Sequence, residues 1–304
     1  MADPLPPAVG FVGLGRMGDP MTRRIAAAGV EVRGFDVSPD AVRALDGVVT
    51  RVDSAADAAR GTGVVILMLP DSDVVERVVD DELLDALVAP VSGDGRDSAT
   101  RHSRPLLVDM SSSEPLRTRA LAERVASRGA TLVDAPVSGG VSGARAGTLT
   151  IMVGGPSQAA ERLEPLLALM GRVRHVGEVG AGHALKALNN LLSASHLLAS
   201  SEAILAGRRF GLDPAVMLDA INGSSGRSGS TQNKWPNHIL PGSYDSGFTA
   251  SLLVKDIKIA LALAEATGAP HEHAEHTVRV WSRAVEKLGP AADHTEIARW
   301  LEEQ

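Results

Sequence analysis

The 304-residue chain has no cysteine, and aromatic residues make up only 3% of it. Without thiols there is no disulfide framework, no cysteine nucleophile and no thiolate metal site, so nothing points to secretion and a cytosolic location is the expectation. Positive charge is also in deficit. The net charge of −7 and a pI near 5.7 argue against a nucleic-acid or anionic-membrane surface, either of which needs clustered cations. Lysine is scarcest within that minority. Of 30 basic residues only Lys186, Lys234, Lys255, Lys258 and Lys287 are lysines, and the first of them stands beyond the middle of the chain. Arginine is effectively never deprotonated, whereas an ammonium brought to a useful pKa by partial burial can pass a proton, so Lys186 is the leading proton handler.

Long apolar runs are missing too. The longest apolar helical stretch, 187–205, carries Asn189, Asn190, His196 and Glu202, which marks a buried helix and not a membrane span. Residues 1–7 are polar and proline-bearing, and strand pattern begins at Val9, which leaves no room for a signal peptide. Hydrophobic residues, at 44%, are ample for a core, and the length suits two domains.

Short β-branched runs at 9–13, 31–36, 64–69, 106–110, 131–134 and 148–153 alternate with alanine-rich helical patterns. That alternation predicts an α/β domain with a doubly wound parallel sheet. Strand signal stops at Gly177, and the remainder reads as helices, so the expected domains are 1–178 and an all-helical 179–304 that opens with a long interdomain helix. The polar segment 90–105 reads as a surface loop. Segment 223–247, rich in glycine and serine but holding Arg227, Lys234 and Trp235, reads as a loop that closes over a site.

Gly13-Leu14-Gly15-Arg16-Met17-Gly18 follows the first strand and opens a helix. In this Gly-x-Gly-x-x-Gly pattern the first glycine permits a tight turn, the second lets a pyrophosphate approach the backbone, and the third allows close helix packing. The second strand ends in Asp36, at the spacing of a carboxylate that binds the adenine ribose 2′-hydroxyl. With Val37-Ser38 next and no arginine to receive a 2′-phosphate, the prediction is NAD over NADP. Leu69, Pro70 and Ser112, at the carboxyl ends of later strands, fall where the cofactor would lie.

The small-residue loop Ser138-Gly139-Gly140 offers backbone amides and a hydroxyl suited to a carboxylate. Lys186 and Asn190, four apart in a helical pattern, project from one face. Lys255 lies in a later apolar helix from which it can reach the cofactor, while Lys258 reads as a solvated charge. No metal is expected, because the i, i+2, i+5 spacing of His271, His273 and His276 does not gather three imidazoles on one helix face.

Taken in order, Gly10-Phe-Val-Gly-Leu-Gly-Arg-Met-Gly18, Met68-Leu-Pro70, Asp109-Met-Ser-Ser112, Asp134-Ala-Pro-Val-Ser-Gly-Gly140 and Lys186-x-x-x-Asn190 resemble the β-hydroxyacid dehydrogenase family over nearly the whole chain. Ser224-Ser-Gly-Arg-Ser228 resembles its 3-hydroxyisobutyrate branch. The resemblance implies a Rossmann domain followed by a helical one, assembly as homodimers or homotetramers, and hydride transfer between NAD and a small β-hydroxy acid. It further implies Lys186 as the catalytic lysine, Ser138, Gly139, Gly140 and Asn190 as substrate-holding residues, and Lys255 beside both substrate and nicotinamide. Tartronate semialdehyde or another short semialdehyde acid is the alternative substrate. Imine reduction and a catalytically silent NAD-binding module are more remote, since the lysine is present. The segment 90–105 exceeds the family's usual loop and is expected to affect surface or assembly.

Overall fold

A computed structural model describes residues 5–88 and 104–304. All but the last two residues of the segment 90–105 therefore lie outside the described residues, as do residues 1–4. Contacts divide the chain into two compact units, Met1–Lys186 and Ala187–Gln304.

Among the described residues, the first unit is built on one nine-stranded sheet. Strands β1 (Ala8–Val12), β2 (Glu31–Phe35), β3 (Thr50–Arg51), β4 (Val64–Leu67), β5 (Leu106–Asp109) and β6 (Thr131–Asp134) run parallel in the order β3-β2-β1-β4-β5-β6. The sheet then departs from the all-parallel expectation. β7 (Val137–Ser138) and β6 both pair antiparallel with β8 (Leu149–Gly154), and β9 (Gly171–Gly177) returns parallel to β8. Val137 and Ser138, read from sequence as part of a loop, are thus a short strand opposite Ile151 and Thr150.

Near-continuous apolar strands are what a sheet covered on both faces requires. The period of two shows which residue goes where: Val9, Phe11, Ile66 and Val108 belong to one buried cluster, while Val12, Val65, Leu67 and Leu107 belong to another. Helices α1 (Gly18–Ala27), α2 (Pro39–Arg43), α7 (Gly140–Ala146) and α8 (Ser157–Leu167) contribute Ile25, Val42, Ala144 and Leu163 to the first. Helices α3 (Ala55–Ala59), α4 (Ser72–Val78), α5 (Leu84–Val88) and α6 (Pro115–Ser127) supply the second, with Ala58, Val75, Leu87 and Leu121. Ser54 and Asp71 cap α3 and α4 by accepting the amides of Asp57 and Val74 at 3.0 Å each.

Helix α9 (Ala181–Phe210) starts in the first unit and continues into the second. The second unit adds α10 (Pro214–Asn222), α11 (Ala250–Thr267), α12 (Glu272–Leu288) and α13 (Ile297–Glu302). All three tryptophans of this aromatic-poor chain, Trp235, Trp281 and Trp300, are buried in its core. Between α10 and α11 the segment expected to be a loop contains a π-helix, Ser230–Ile239. Pro236 sits inside it and has no amide to donate, and the Leu240 amide reaches the Trp235 carbonyl five residues back at 2.9 Å.

Candidate active site

The strand order reverses between β2-β1 and β4-β5, and the crevice at such a switch point, at the carboxyl ends of the strands, is where a doubly wound sheet binds ligand. Gly13 lies there with φ +98°, its amide donating to the Phe35 carbonyl at 2.9 Å. The three glycines of the motif are required for different reasons. A Cβ on Gly13 would come within 2.2 Å of the Met68 carbonyl oxygen, and one on Gly18 within 2.0 Å of the Gly13 carbonyl oxygen. At Gly15 a Cβ would meet nothing within 4 Å. Folding thus demands Gly13 and Gly18, whereas Gly15 keeps open a space that the protein leaves unfilled, as a cofactor pyrophosphate lying against the backbone would need. Leu14 is buried and half-buried Met17 opens α1 without a side-chain cap, while Arg16 is exposed.

Asp36 is fixed by two backbone amides, Leu14 N–H to Oδ2 and Ser38 N–H to Oδ1, both at 2.7 Å. Each carboxylate oxygen has a second acceptor site, so the held group can still receive ribose hydroxyls. At the end of β4 the Leu69 amide donates to Ser111 Oγ at 2.9 Å, and Asp109, at the end of β5, accepts the Ser111 amide and the Ser113 hydroxyl at 2.9 and 2.8 Å. Pro70 is exposed and Ser112 half-buried beside these turns. The adjacent ends of β1, β2, β4 and β5 therefore bring together the glycine motif, Asp36, Leu69, Pro70 and Ser112. These groups fit a dinucleotide: open space beside the Gly15 backbone for phosphate and a carboxylate for ribose.

Asp134, at the end of β6, fixes the start of α9. Its buried carboxylate accepts the Gly180 amide at 2.6 Å and the His183 amide at 2.8 Å. Burial pushes its pKa up, while the His183 side chain and these amides pull it back. The His183 ring, also buried, is 2.8 Å from Thr118 Oγ1 through Nδ1. Lys186, half-buried, follows one turn later, so the orientation of that turn is set from the sheet. Nothing in the spacing of Asp134 and Gly180 announces this contact. In the same unit Ser138 ends β7 half-buried, and Gly139 and Gly140 follow, exposed, with φ +127° and +62°.

In the second unit Asn190 is buried and its Nδ2 donates to Asp256 Oδ2 at 2.6 Å, while Lys255 Nζ lies 3.3 Å from Asp256 Oδ1. Asp256 thereby orients two predicted site residues at once. In the sequence its signal is its place next to Lys255. Lys258 is exposed, as expected. Within the segment read as a loop closing over a site, Arg227 is exposed and Trp235 lies in the core. The three histidines diverge: His271 contacts Glu275 and the Ala269 carbonyl, His273 contacts Ser195, and His276 contacts Arg279.

Residues 8–180 match the family model described as the NAD binding domain of 6-phosphogluconate dehydrogenase, and residues 180–301 that described as NAD-binding of NADP-dependent 3-hydroxyisobutyrate dehydrogenase. The 3-hydroxyisobutyrate dehydrogenase of Pseudomonas aeruginosa is 40% identical over 270 residues, covering 86% of each chain. The 2-(hydroxymethyl)glutarate dehydrogenase of Eubacterium barkeri is 37% identical, covering 83% of this chain and 81% of its own. Among solved structures, Mycobacterium tuberculosis 3-hydroxyisobutyrate dehydrogenase with L-serine matches with a TM-score of 0.87 at 31% identity, over 98% of this chain and 99% of that one.

Proposed function

Because this chain belongs to the β-hydroxyacid dehydrogenase family, NAD-dependent oxidoreductases acting on CH–OH groups, we propose that it oxidises a small β-hydroxy acid of the 3-hydroxyisobutyrate type, reversibly, with Lys186 as general acid and base. One observation carries this reading: helix α9 places Lys186 one turn before Asn190, and Asn190 is held at 2.6 Å by the buried Asp256. When bound, NAD supplies the hydride acceptor. In oxidation Lys186 takes the hydroxyl proton, and in reduction it returns it. Asn190 holds the hydroxyl-bearing end, and Ser138 with the Gly139 and Gly140 amides holds the carboxylate. The motif 13–18 receives the pyrophosphate and Asp36 the ribose, with Leu69, Pro70, Ser112 and Lys255 along the remainder of the cofactor.

Residues 1–178 on this reading form the NAD-binding Rossmann domain, which also lends Ser138, Gly139 and Gly140 to the substrate, and 179–304 form the helical substrate and assembly domain, which lends Lys255 to the cofactor. Asp36 supports NAD over NADP, which the ratio of kcat/KM values with NADH and NADPH measures. Leu188 and Leu192 of α9, 40% and 57% exposed, support a homodimer or homotetramer, which light scattering reads.

A coupled NADH assay over 3-hydroxyisobutyrate, 3-hydroxypropionate, glycerate and L-serine tests the activity. Lys186→Arg should lower kcat by about 10²-fold or more, the usual worth of a positioned proton carrier, with the Kd for NADH within about three-fold of wild type. Near-normal turnover in that variant sinks the assignment.

A further inference from the structure

Of the three lysines that the reading above leaves unused, Lys258 and Lys287 are exposed and Lys234 is not. It lies on the π-helix Ser230–Ile239, half-buried, and its Nζ donates to Ser193 Oγ at 2.7 Å. No carboxylate among the described residues lies within ion-pairing distance of it. Asp293 is the nearby acid, but its two oxygens already accept the Ser246 hydroxyl, the Gly247 and Thr295 amides and the Thr295 hydroxyl. An ammonium has three donors, and a neutral hydroxyl uses one. Taking such a charge out of water without a counter-ion is costly, so buried cations are ordinarily paired. Burial accordingly lowers the Lys234 pKa to about 8, against the opposing pull of Asp293.

The position of this cation along α9 gives it a meaning. Residues 186, 190 and 193 follow one another at i, i+4 and i+7, on one stripe of that helix. Ser193 stands about 4.5 Å along the axis beyond Asn190 and about 10 Å beyond Lys186. Trp235, the next residue after Lys234, is locked in the core, so the π-helical turn that carries the ammonium is fixed. A hydroxy acid with one carboxylate, already engaged in the reading above, has no charge left for Lys234.

We infer that Lys234, held against Ser193 one turn beyond Asn190, binds a second anionic group of the substrate, making the preferred substrate a β-hydroxy acid with an additional carboxylate. The inference rests on the assignment of Lys186 and Asn190 to substrate. It turns a nonspecific small-acid site into one selective for dianions: the charged hydrogen bond is formed with a half-buried ammonium, and a mono-acid leaves that cation without a counter-ion.

The test compares 2-(hydroxymethyl)glutarate, with two carboxylates, and 3-hydroxyisobutyrate, with one, on the NAD-loaded full chain. Wild type should favour the dianion in kcat/KM by about ten-fold or more, the worth of one charge-assisted contact. Lys234→Met should cut that ratio at least about ten-fold, chiefly through KM, and Lys234→Arg should restore part of it. Should Lys234→Met fail to fold, wild type alone decides: glutarate should compete with substrate at least about ten-fold more tightly than butyrate. Turnover of the mono-acid with no preference for the dianion, or equal inhibition by glutarate and butyrate, overturns the role of Lys234 and leaves the dehydrogenase reading standing. Turnover of neither acid overturns both.

Discussion

The candidate site residues of the two units are held in different ways. In the first, carboxylates are held by backbone amides: Asp36 by Leu14 and Ser38, Asp109 by Ser111, Asp134 by Gly180 and His183. In the second, side chains hold side chains: Asn190 on Asp256 across 66 residues of sequence, Lys234 on Ser193 across 41. Asp293 accepts both hydroxyls and amides and so combines the two modes. A backbone-built site depends on where the chain can turn, which constrains glycine placement locally. A side-chain-built site depends on which helices meet, and no local pattern is needed for that.

The comparison is broken most forcefully at the glycines. Gly18→Ala drives a Cβ against the Gly13 carbonyl oxygen, backbone against backbone, and should cost about 3 kcal/mol or more in denaturant unfolding together with cofactor binding. Gly15→Ala meets no protein atom within 4 Å. It should leave Tm within about 2 °C of wild type while weakening NAD binding about ten-fold or more, as read by calorimetric titration. Equal loss of stability in the two variants would mean that the whole motif is merely a tight turn.

In the second unit the same question is put to Asp256. Asp256→Ala removes the acceptor of Asn190 and the partner of Lys255 together, and should lower kcat/KM about ten- to hundred-fold. Asp256→Asn keeps a carbonyl for Asn190 and should recover about half of that loss on a logarithmic scale. If the alanine variant matches wild type, side-chain orientation of Asn190 is not part of the site.

The smallest effect concerns stability against pH. Burial, reinforced by the charge of Lys234, lowers the His294 pKa from 6.5 to about 4, with Asp293 pulling the other way and His238 adding to the lowering. Above pH 6.5 the ring is neutral whether folded or unfolded, and nothing is lost. As pH falls from 6.5 towards 4 the unfolded chain takes up a proton that the folded one refuses, so stability declines, by at most about 3 kcal/mol over that window. Urea unfolding at pH 7 and pH 4.5 measures the decline, and His294→Gln should flatten it. An unchanged slope in that variant would assign the decline to other groups.

Much of this protein is legible in its sequence. Strand periodicity located the sheet, because burial on both faces demands apolar runs such as Val64–Leu67. The glycine motif and Asp36 were legible because sterics near a turn act over a few residues, and Lys186 and Asn190 because one helix carries both. The antiparallel turn of the sheet at Val137–Ser138 escaped, since two residues carry no period. The π-helix escaped as well: glycine and serine around it read as loop, and its wide turns are fixed by Trp235 in the core and by the amide missing at Pro236. By itself the sequence determined the fold class and the chemistry of the cofactor end, where constraint is local and covalent. Only tertiary structure decided that Asp134 anchors α9, that Asp256 orients Asn190 and that Lys234 meets Ser193, because each of those contacts exists only once distant segments have packed.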